Sequence, residues 1–266
     1  MLRREAVIEP RTALVGGGAS GIGRAAAQRL AASDMRVVLC GRRENLLRDA
    51  ARDIADLSGS EVRYVVGDLA DENFAAGLVD DVESRIGPVD VLVANAGGPA
   101  PGRILAIADA AWCQGIELLL LGPLRLARAA LPRMAARGFG RVVVVTSTAV
   151  RKPEPDLAVS VVLRSAVTAA AKLLAREYAT DGVTVNCVAP GATATARHDE
   201  ILHAAAAASG QAITELQRSE LASIPAGRAG APEEVGHAIA FLASAAAGYI
   251  NGTVLTVDGG RTEAIW

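Results

Sequence analysis

The sequence predicts an α/β fold, a doubly wound parallel sheet of about seven strands forming a single domain over residues 1–266. Two observations carry this expectation. Short β-branched apolar runs alternate with longer segments rich in alanine and leucine, which is the pattern of βαβ units and a parallel sheet. The first of these runs opens directly into a glycine-rich turn and then a helix, the local chemistry of a phosphate-binding loop.

Taken in order, the strand runs are 12–15, 36–40, 62–66, 89–94, 141–146, 183–188 and 253–257. Each is continuously apolar rather than alternating, which predicts strands buried on both faces. The helical segments between them are 21–32, 43–57, 71–86, 108–136, 157–180 and 232–246. One stretch breaks the rhythm. Residues 192–230 follow the sixth strand with a polar cluster, Arg197-His198-Asp199-Glu200, then an alanine run and a polar helix. This is an insertion before the last helix and strand, at the strand edge where open α/β sheets bind ligands, and it is expected to act as a substrate lid.

Composition narrows the function. With 51% hydrophobic and 21% charged residues the chain can bury a sizeable core. A net charge of −2 gives no electrostatic footprint for nucleic acid or an anionic membrane. Cys40, Cys113 and Cys187 are odd in number and far apart, so neither a disulfide framework nor a metal site is expected. The N-terminal MLRREAVIEPR has no apolar core of a signal peptide, and no uncharged apolar stretch reaches about 18 residues. A cytoplasmic protein is the expectation.

The turn Gly16-Gly17-Gly18-Ala19-Ser20-Gly21-Ile22-Gly23 lets the backbone approach a pyrophosphate, which the following helix N-terminus stabilises. The second strand ends at Cys40-Gly41-Arg42-Arg43, about 20 residues on, where an acidic residue would hold the ribose hydroxyls of NAD. A guanidinium there pairs instead with a 2′-phosphate, so NADP(H) is favoured over NAD(H), with Arg42 the contact.

The loop is one of a series of matches. Gly17-x-x-x-Gly21-Ile22-Gly23 resembles the TGxxxGIG loop of the short-chain dehydrogenase/reductases. Asp68-Leu69, Asn95-Ala96-Gly97 and the segment from Asn186 through Pro190-Gly191-Ala192-Thr193-Ala194-Thr195 match that family's later motifs in order. So does the run from Ile224-Pro225 to Asp258-Gly259-Gly260. The resemblance covers nearly the whole chain and is closest to the beta-ketoacyl carrier-protein reductase-like branch. It implies a Rossmann fold and an NADP(H)-dependent oxidoreductase acting on a small molecule. It also implies a homo-oligomer, a tetramer or dimer. Gly17, Ser20, Gly21, Ile22, Gly23, Arg42, Asp68, Leu69, Asn95, Ala96, Gly97, Pro190, Gly191, Thr193 and Thr195 are then the expected cofactor contacts.

The family's active site uses Asn, Ser, Tyr and Lys, and here the chain departs from it. Ser147 falls at the serine, but Ser160 falls at the tyrosine, Arg164 at the lysine and Leu119 at the asparagine. The loop's leading threonine is Gly16. The departure does not depend on alignment. The three tyrosines, Tyr64, Tyr178 and Tyr249, are followed four residues later by Asp68, Gly182 and Thr253, so no phenol has a lysine one helical turn away.

The expected catalytic candidates are therefore Ser147, Ser160, Arg164 and His198. A phenol near pKa 10 is brought toward working pH by a neighbouring ammonium, whereas a serine hydroxyl is far less acidic. Arg164 keeps the charge and can hold ribose, but it cannot relay protons. His198, three residues after Thr195, titrates in the range a proton donor needs, and a solvated surface position is the competing reading. Arg197 either clamps an anionic substrate or caps the insertion at the surface. Three functions remain open: hydride transfer between NADP(H) and a carbonyl, imine or alcohol by an altered proton route; a lyase or isomerase on the same fold; and a non-catalytic dinucleotide-binding regulator or scaffold.

Overall fold

The computed structural model describes residues 10–265; residues 1–9, read above for a leader, and Trp266 lie outside the described residues. The chain runs β1 (Thr12–Gly16), α1 (Gly21–Ala31), β2 (Arg36–Gly41), α2 (Glu44–Ser58), β3 (Val62–Val66), α3 (Glu72–Arg85), β4 (Val89–Ala94), α4 (Asp109–Ile116), α5 (Gly122–Ala136), β5 (Gly140–Val145), α6 (Ala158–Glu177), β6 (Val183–Pro190), α7 (Ala196–Ser209), α8 (Ile213–Ala222), α9 (Pro232–Ala243) and β7 (Val254–Val257).

All seven strands are parallel, in the order β3-β2-β1-β4-β5-β6-β7. The order reverses between β1 and β4, which opens a crevice at the C-terminal strand ends. Register brings those ends to one edge: Gly16 lies beside Cys40, Ala94 beside Val144, and Val145 beside Val188.

Continuous apolar runs make sense of the two cores. Along β1, Ala13 and Val15 face the layer built by α1, α2 and α9, while Leu14 faces the layer built by α3, α5 and α6. Because residues alternate faces, a strand covered on both sides needs apolar residues at every position. The edge strands depart from this expectation. β3 and β7 are only partly buried, since each has a neighbour on one side alone.

The structure differs from the sequence expectation at two helices. The segment 108–136 is not one regular helix: a π-helical turn at Glu117–Leu121 separates α4 from α5, with the Gly122 N–H bonded to the Glu117 carbonyl. Gly122 packs so close to the Leu69 carbonyl that a Cβ there would lie 2.5 Å away, so the bulge is fixed by tertiary packing. The segment 232–246 also breaks, at Ser244, whose backbone is extended.

α6 is long and apolar enough to cross a membrane by length and composition alone. Its buried residues Val159, Leu163, Val167, Ala171 and Ala175 recur every four positions, which is the stripe of a helix packed on a core. Leu92, fully buried in mid-β4, tests this packing. Leu92→Ala is expected to destabilise the fold by about 2–5 kcal/mol in urea denaturation, from lost apolar burial plus the cavity left behind.

Candidate active site

The loop after β1 is shaped by packing as much as by its ligand chemistry. Gly17 and Gly21 have φ of +59° and +52°, a region side chains other than glycine's rarely adopt. A Cβ on Gly17 would lie 2.7 Å from Asn95 Nδ2, and one on Gly23 would run into the Gly17 carbonyl. Asn95, at the end of β4, donates from Nδ2 to the Gly16 carbonyl at 2.9 Å and so ties the two sides of the crevice together. The first turn of α1 carries no acidic residue, and exposed Ser20 makes no capping bond with its side chain. The helix therefore presents unsatisfied N–H groups to the crevice. Ile22 packs against the core and anchors that turn.

At the next strand end, exposed Arg42 lies 3.7 Å from Asp68 Oδ2, while Asp68 Oδ1 accepts from the Ala70 N–H at 3.0 Å. Leu69 is buried beneath. Ala96 is half-buried, Gly97 is exposed, and nothing lies within 4 Å of where a Gly97 Cβ would sit. On the far side, Gly191 is packed against Asp258, leaving no room for a side chain. Pro190 ends β6, and Thr193 Oγ1 donates to the Gly191 carbonyl at 3.1 Å. Thr195 caps α7, accepting from the His198 N–H at 3.3 Å, and its Cγ2 lies 3.2 Å from where a Gly21 Cβ would sit. The start of the 192–230 insertion thus touches the phosphate loop. Asn186, by contrast, is buried within β6, where it donates to the Ile250 carbonyl and accepts from the Thr253 N–H. In this structure it braces the approach to β7.

Three of the four catalytic candidates gather at the end of β5. Ser147 follows the strand and accepts from the Ala149 N–H at 3.1 Å. Ser160 and Arg164 lie one turn apart on α6. The Arg164 guanidinium donates from Nε to Ser160 Oγ at 3.3 Å and from Nη1 to the Val145 carbonyl at 2.6 Å. Burial, reinforced by the charge of Arg197, pushes the Arg164 pKa down to about 10. Leu119, in the π-helical turn, is buried with Val159 and Leu163 and packs with Trp112. The family's asparagine position is therefore part of an apolar cluster.

The fourth candidate sits in different company. His198 Nε2 is 3.0 Å from Glu220 Oε2 on α8, and Glu220 is in turn 3.6 Å from Arg261. Arg261 also reaches Glu154, on the turn after β5, at 3.3 Å. Among the described residues, His198 has no hydrogen bond or ion pair to Ser147, Ser160 or Arg164. It lines a cavity of about 590 Å³ inside the insertion, with Thr195, Gln217, Glu220 and Arg228. Glu220 and Arg261 were not singled out from sequence. The one available signal was a basic residue directly after Asp258-Gly259-Gly260.

Arg197 leaves the first turn of α7 in the other direction. Its Nη2 donates to the Pro99 carbonyl, its Nη1 lies 3.2 Å from exposed Glu200, and the guanidinium covers Gly98. It thereby joins the insertion to the loop after β4.

The His198–Glu220 pair makes the insertion's stability depend on pH. Contact with Glu220 raises the His198 pKa above its ordinary 6.5, although burial opposes the shift. Burial pushes Glu220 up, but the contact with His198 and the charges of His198 and Arg261 outweigh it, and its pKa falls below 4.5. The raised histidine contributes fully below 6.5 and loses its contribution as pH rises through the folded value; the lowered carboxylate contributes above 4.5 and fails as pH falls through its own. The pair is therefore strongest between those limits. His198→Gln is expected to lower the thermal midpoint by about 2–4 °C near pH ~5.5 and by much less at alkaline pH, once the imidazole is neutral in the folded state as well. A deficit of the same size at every pH would remove the pair from this role.

Comparison with known proteins agrees with this architecture. Residues 17–262 match the family model described as enoyl-(acyl carrier protein) reductase. The chain is 33% identical over 253 residues to the 3-oxoacyl-[acyl-carrier-protein] reductase FabG of Escherichia coli, covering 95% of this chain and 97% of that protein. It is 38% identical over 253 residues to the cis-4-hydroxycyclohexanecarboxylate dehydrogenase of Sinomonas cyclohexanicum, covering 95% and 96%. Among solved structures it is similar to an actinorhodin polyketide ketoreductase variant with NADPH, at TM-score 0.92 and 32% identity, covering 98% of this chain and 100% of that one. The L-sorbose reductase of Gluconobacter frateurii, complexed with NADPH and L-sorbose, matches at TM-score 0.90 and 31% identity, covering 97% and 98%. The chain belongs to the short-chain dehydrogenase/reductase family of oxidoreductases, among the relatives of the 3-oxoacyl carrier-protein reductases.

Proposed function

We propose that the protein reduces a small-molecule carbonyl or imine, or oxidises the corresponding alcohol, with NADP(H) and a proton route that uses no phenol. The observation that carries this reading is the Ser160–Arg164 pair beside Ser147, at the strand end next to an intact dinucleotide crevice.

The residues present fit the cofactor. The cradle formed by Gly17, Gly21 and Gly23 has no room for side chains, and it ends in the free N-terminus of α1, which suits a pyrophosphate. Arg42 is the cation for a 2′-phosphate and favours NADP(H) over NAD(H), while Asp68 and Leu69 border the adenine side. Asn95, Ala96, Gly97, Pro190, Gly191, Thr193 and Thr195 line the nicotinamide half. When bound, NADP(H) supplies or accepts the hydride.

The chain's own residues handle the oxygen and the proton. Ser147 and Ser160 hold the substrate oxygen through their hydroxyls. Arg164 remains protonated at neutral pH, since its lowered pKa is still about 10. Its charge polarises the Ser160 hydroxyl and stabilises negative charge developing on the substrate oxygen. The hydroxyl of Ser160 passes its proton to that oxygen and is reprotonated from water. The 192–230 insertion acts as the substrate lid, latched by Arg197 on the Pro99 carbonyl and by Arg261 on Glu220, with the His198–Glu220 contact bracing it internally. A cytoplasmic location and self-association as a dimer or tetramer belong to the same reading.

Following NADPH absorbance across a panel of ketones, diketones and imines tests the activity. Substrate-dependent oxidation supports it, and NADPH binding without turnover anywhere on a broad panel favours the regulator reading. On a responding substrate, Ser160→Ala is expected to lower kcat about 10- to 100-fold. Arg42→Ala is expected to weaken NADPH binding about 10- to 100-fold, the loss of a charge-assisted contact, and to leave NADH binding nearly unchanged.

A further inference from the structure

A second cavity, of about 410 Å³, lies between α6 and β7 and shares no residue with the reacting groups or the dinucleotide crevice. Ser165, Thr168 and Lys172 line it from one face of α6, Arg151 from the turn after β5, Val185 from β6 and Val254 from β7. The wall before β7 is braced. Asn251 accepts from the Val185 N–H and donates to the Ala175 carbonyl, and the Gly252 N–H returns to the Val185 carbonyl. Gly252 has φ +69°, and a Cβ on it would lie 2.9 Å from Lys172 Nζ, so the ammonium is seated against bare backbone.

Two cations meet in this cavity. Arg151 Nη2 donates to the Val254 carbonyl at 3.1 Å, and Lys172 Nζ donates to the Gly252 carbonyl at 2.8 Å. Those carbonyls belong to residues two apart in sequence, so the chain holds them at most about 7 Å from each other. Both are neutral acceptors, and each cation has further N–H groups to offer. Among the described residues neither cation lies in an ion pair, and no carboxylate lines the cavity. Arg151 is half-buried, and a half-buried charge with only neutral partners gains from a charge-assisted bond to an anion.

The other polar groups in the lining add no charge. The hydroxyls of Ser165 and Thr168 give their protons to the Val161 and Arg164 carbonyls one turn back on α6. Burial pushes the Cys187 thiol up to about 12, so it stays neutral. The rest of the lining is largely apolar, and the volume lies in the range of small-molecule sites. A cationic rim over an apolar floor suits a ligand with the complementary two parts.

We propose that this groove binds an amphipathic anion, a carboxylate on a short apolar body, with its head on Arg151 and Lys172 and its body along Val185 and Val254. The site is separate from the reaction and does not rest on the oxidoreductase reading.

The test titrates hexanoate, octanoate and 3-phenylpropanoate, each paired with its uncharged amide, into the full chain by isothermal calorimetry, with and without saturating NADP+. At least one carboxylate is expected to bind about tenfold or more tighter than its amide, with the same affinity when NADP+ is present and in Ser160→Ala. Arg151→Gln and Lys172→Gln are each expected to weaken that carboxylate about tenfold, and Lys172→Arg, which keeps the charge, to retain most of the affinity. Circular dichroism and the thermal transition report that each variant is folded. Binding of no carboxylate, equal binding of the amides, displacement by NADP+, or an affinity unchanged in either glutamine variant overturns the proposal. So does a change in molecular mass by light scattering in those variants with carboxylate affinity intact, which would assign the groove to contact between copies of this chain.

Discussion

The arrangement of the pocket depends on a guanidinium held at the end of β5. Arg164 reaches from α6 to the Val145 carbonyl and on the way fixes the hydroxyl of Ser160. Those two bonds join the helix to the strand edge and fix Ser160, which the proposed reaction sets beside Ser147 at the substrate oxygen. A lysine in the same position would offer a compact ammonium; the planar fork instead bonds two different groups at once. The guanidinium is partly buried, so each electrostatic interaction it makes is stronger than it would be at the surface.

A second constraint keeps the cofactor side rigid. Asn95 bridges β4 to the Gly16 carbonyl, and the glycines around it are required because backbone and side-chain atoms already fill the space a Cβ would take. Apart from Gly16, this half keeps the residues of the family's motifs, and the other departures fall at Leu119 in the π-helical turn and at Ser160 and Arg164 on α6. Conserving the hydride side while altering the proton side is what supports an enzyme with a different proton route over a protein that merely retains the fold.

Much of this was legible in the sequence. The strands were visible because a sheet covered on both faces demands unbroken apolar runs, and β3 and β7 fell short of that only because each lies at an edge. The phosphate loop was visible because glycine is the only residue its backbone and packing tolerate. The π-helical turn at Glu117–Leu121 was not, since its sequence is a plain leucine run and its cause is the close approach of Gly122 to the Leu69 carbonyl. The setting of His198 was hidden for the same kind of reason. Its partner Glu220 lies on a separate helix, and Arg261 arrives from beyond β7. Sequence spacing displays neighbours within one helix turn, whereas contacts between distant segments emerge only once the chain is folded.

The central claim is that the charge of Arg164, and not a titrating histidine or phenol, supports proton transfer to the substrate. The most direct measurement is the single-turnover rate of hydride transfer from NADPH at saturating substrate, followed from pH 6 to 11 in the parent and in His198→Gln. The account predicts that both hold their rate through neutral pH and lose it together on approaching about 10, where the guanidinium gives up its charge. A limb near neutral pH that disappears in His198→Gln would contradict it and assign the proton to His198.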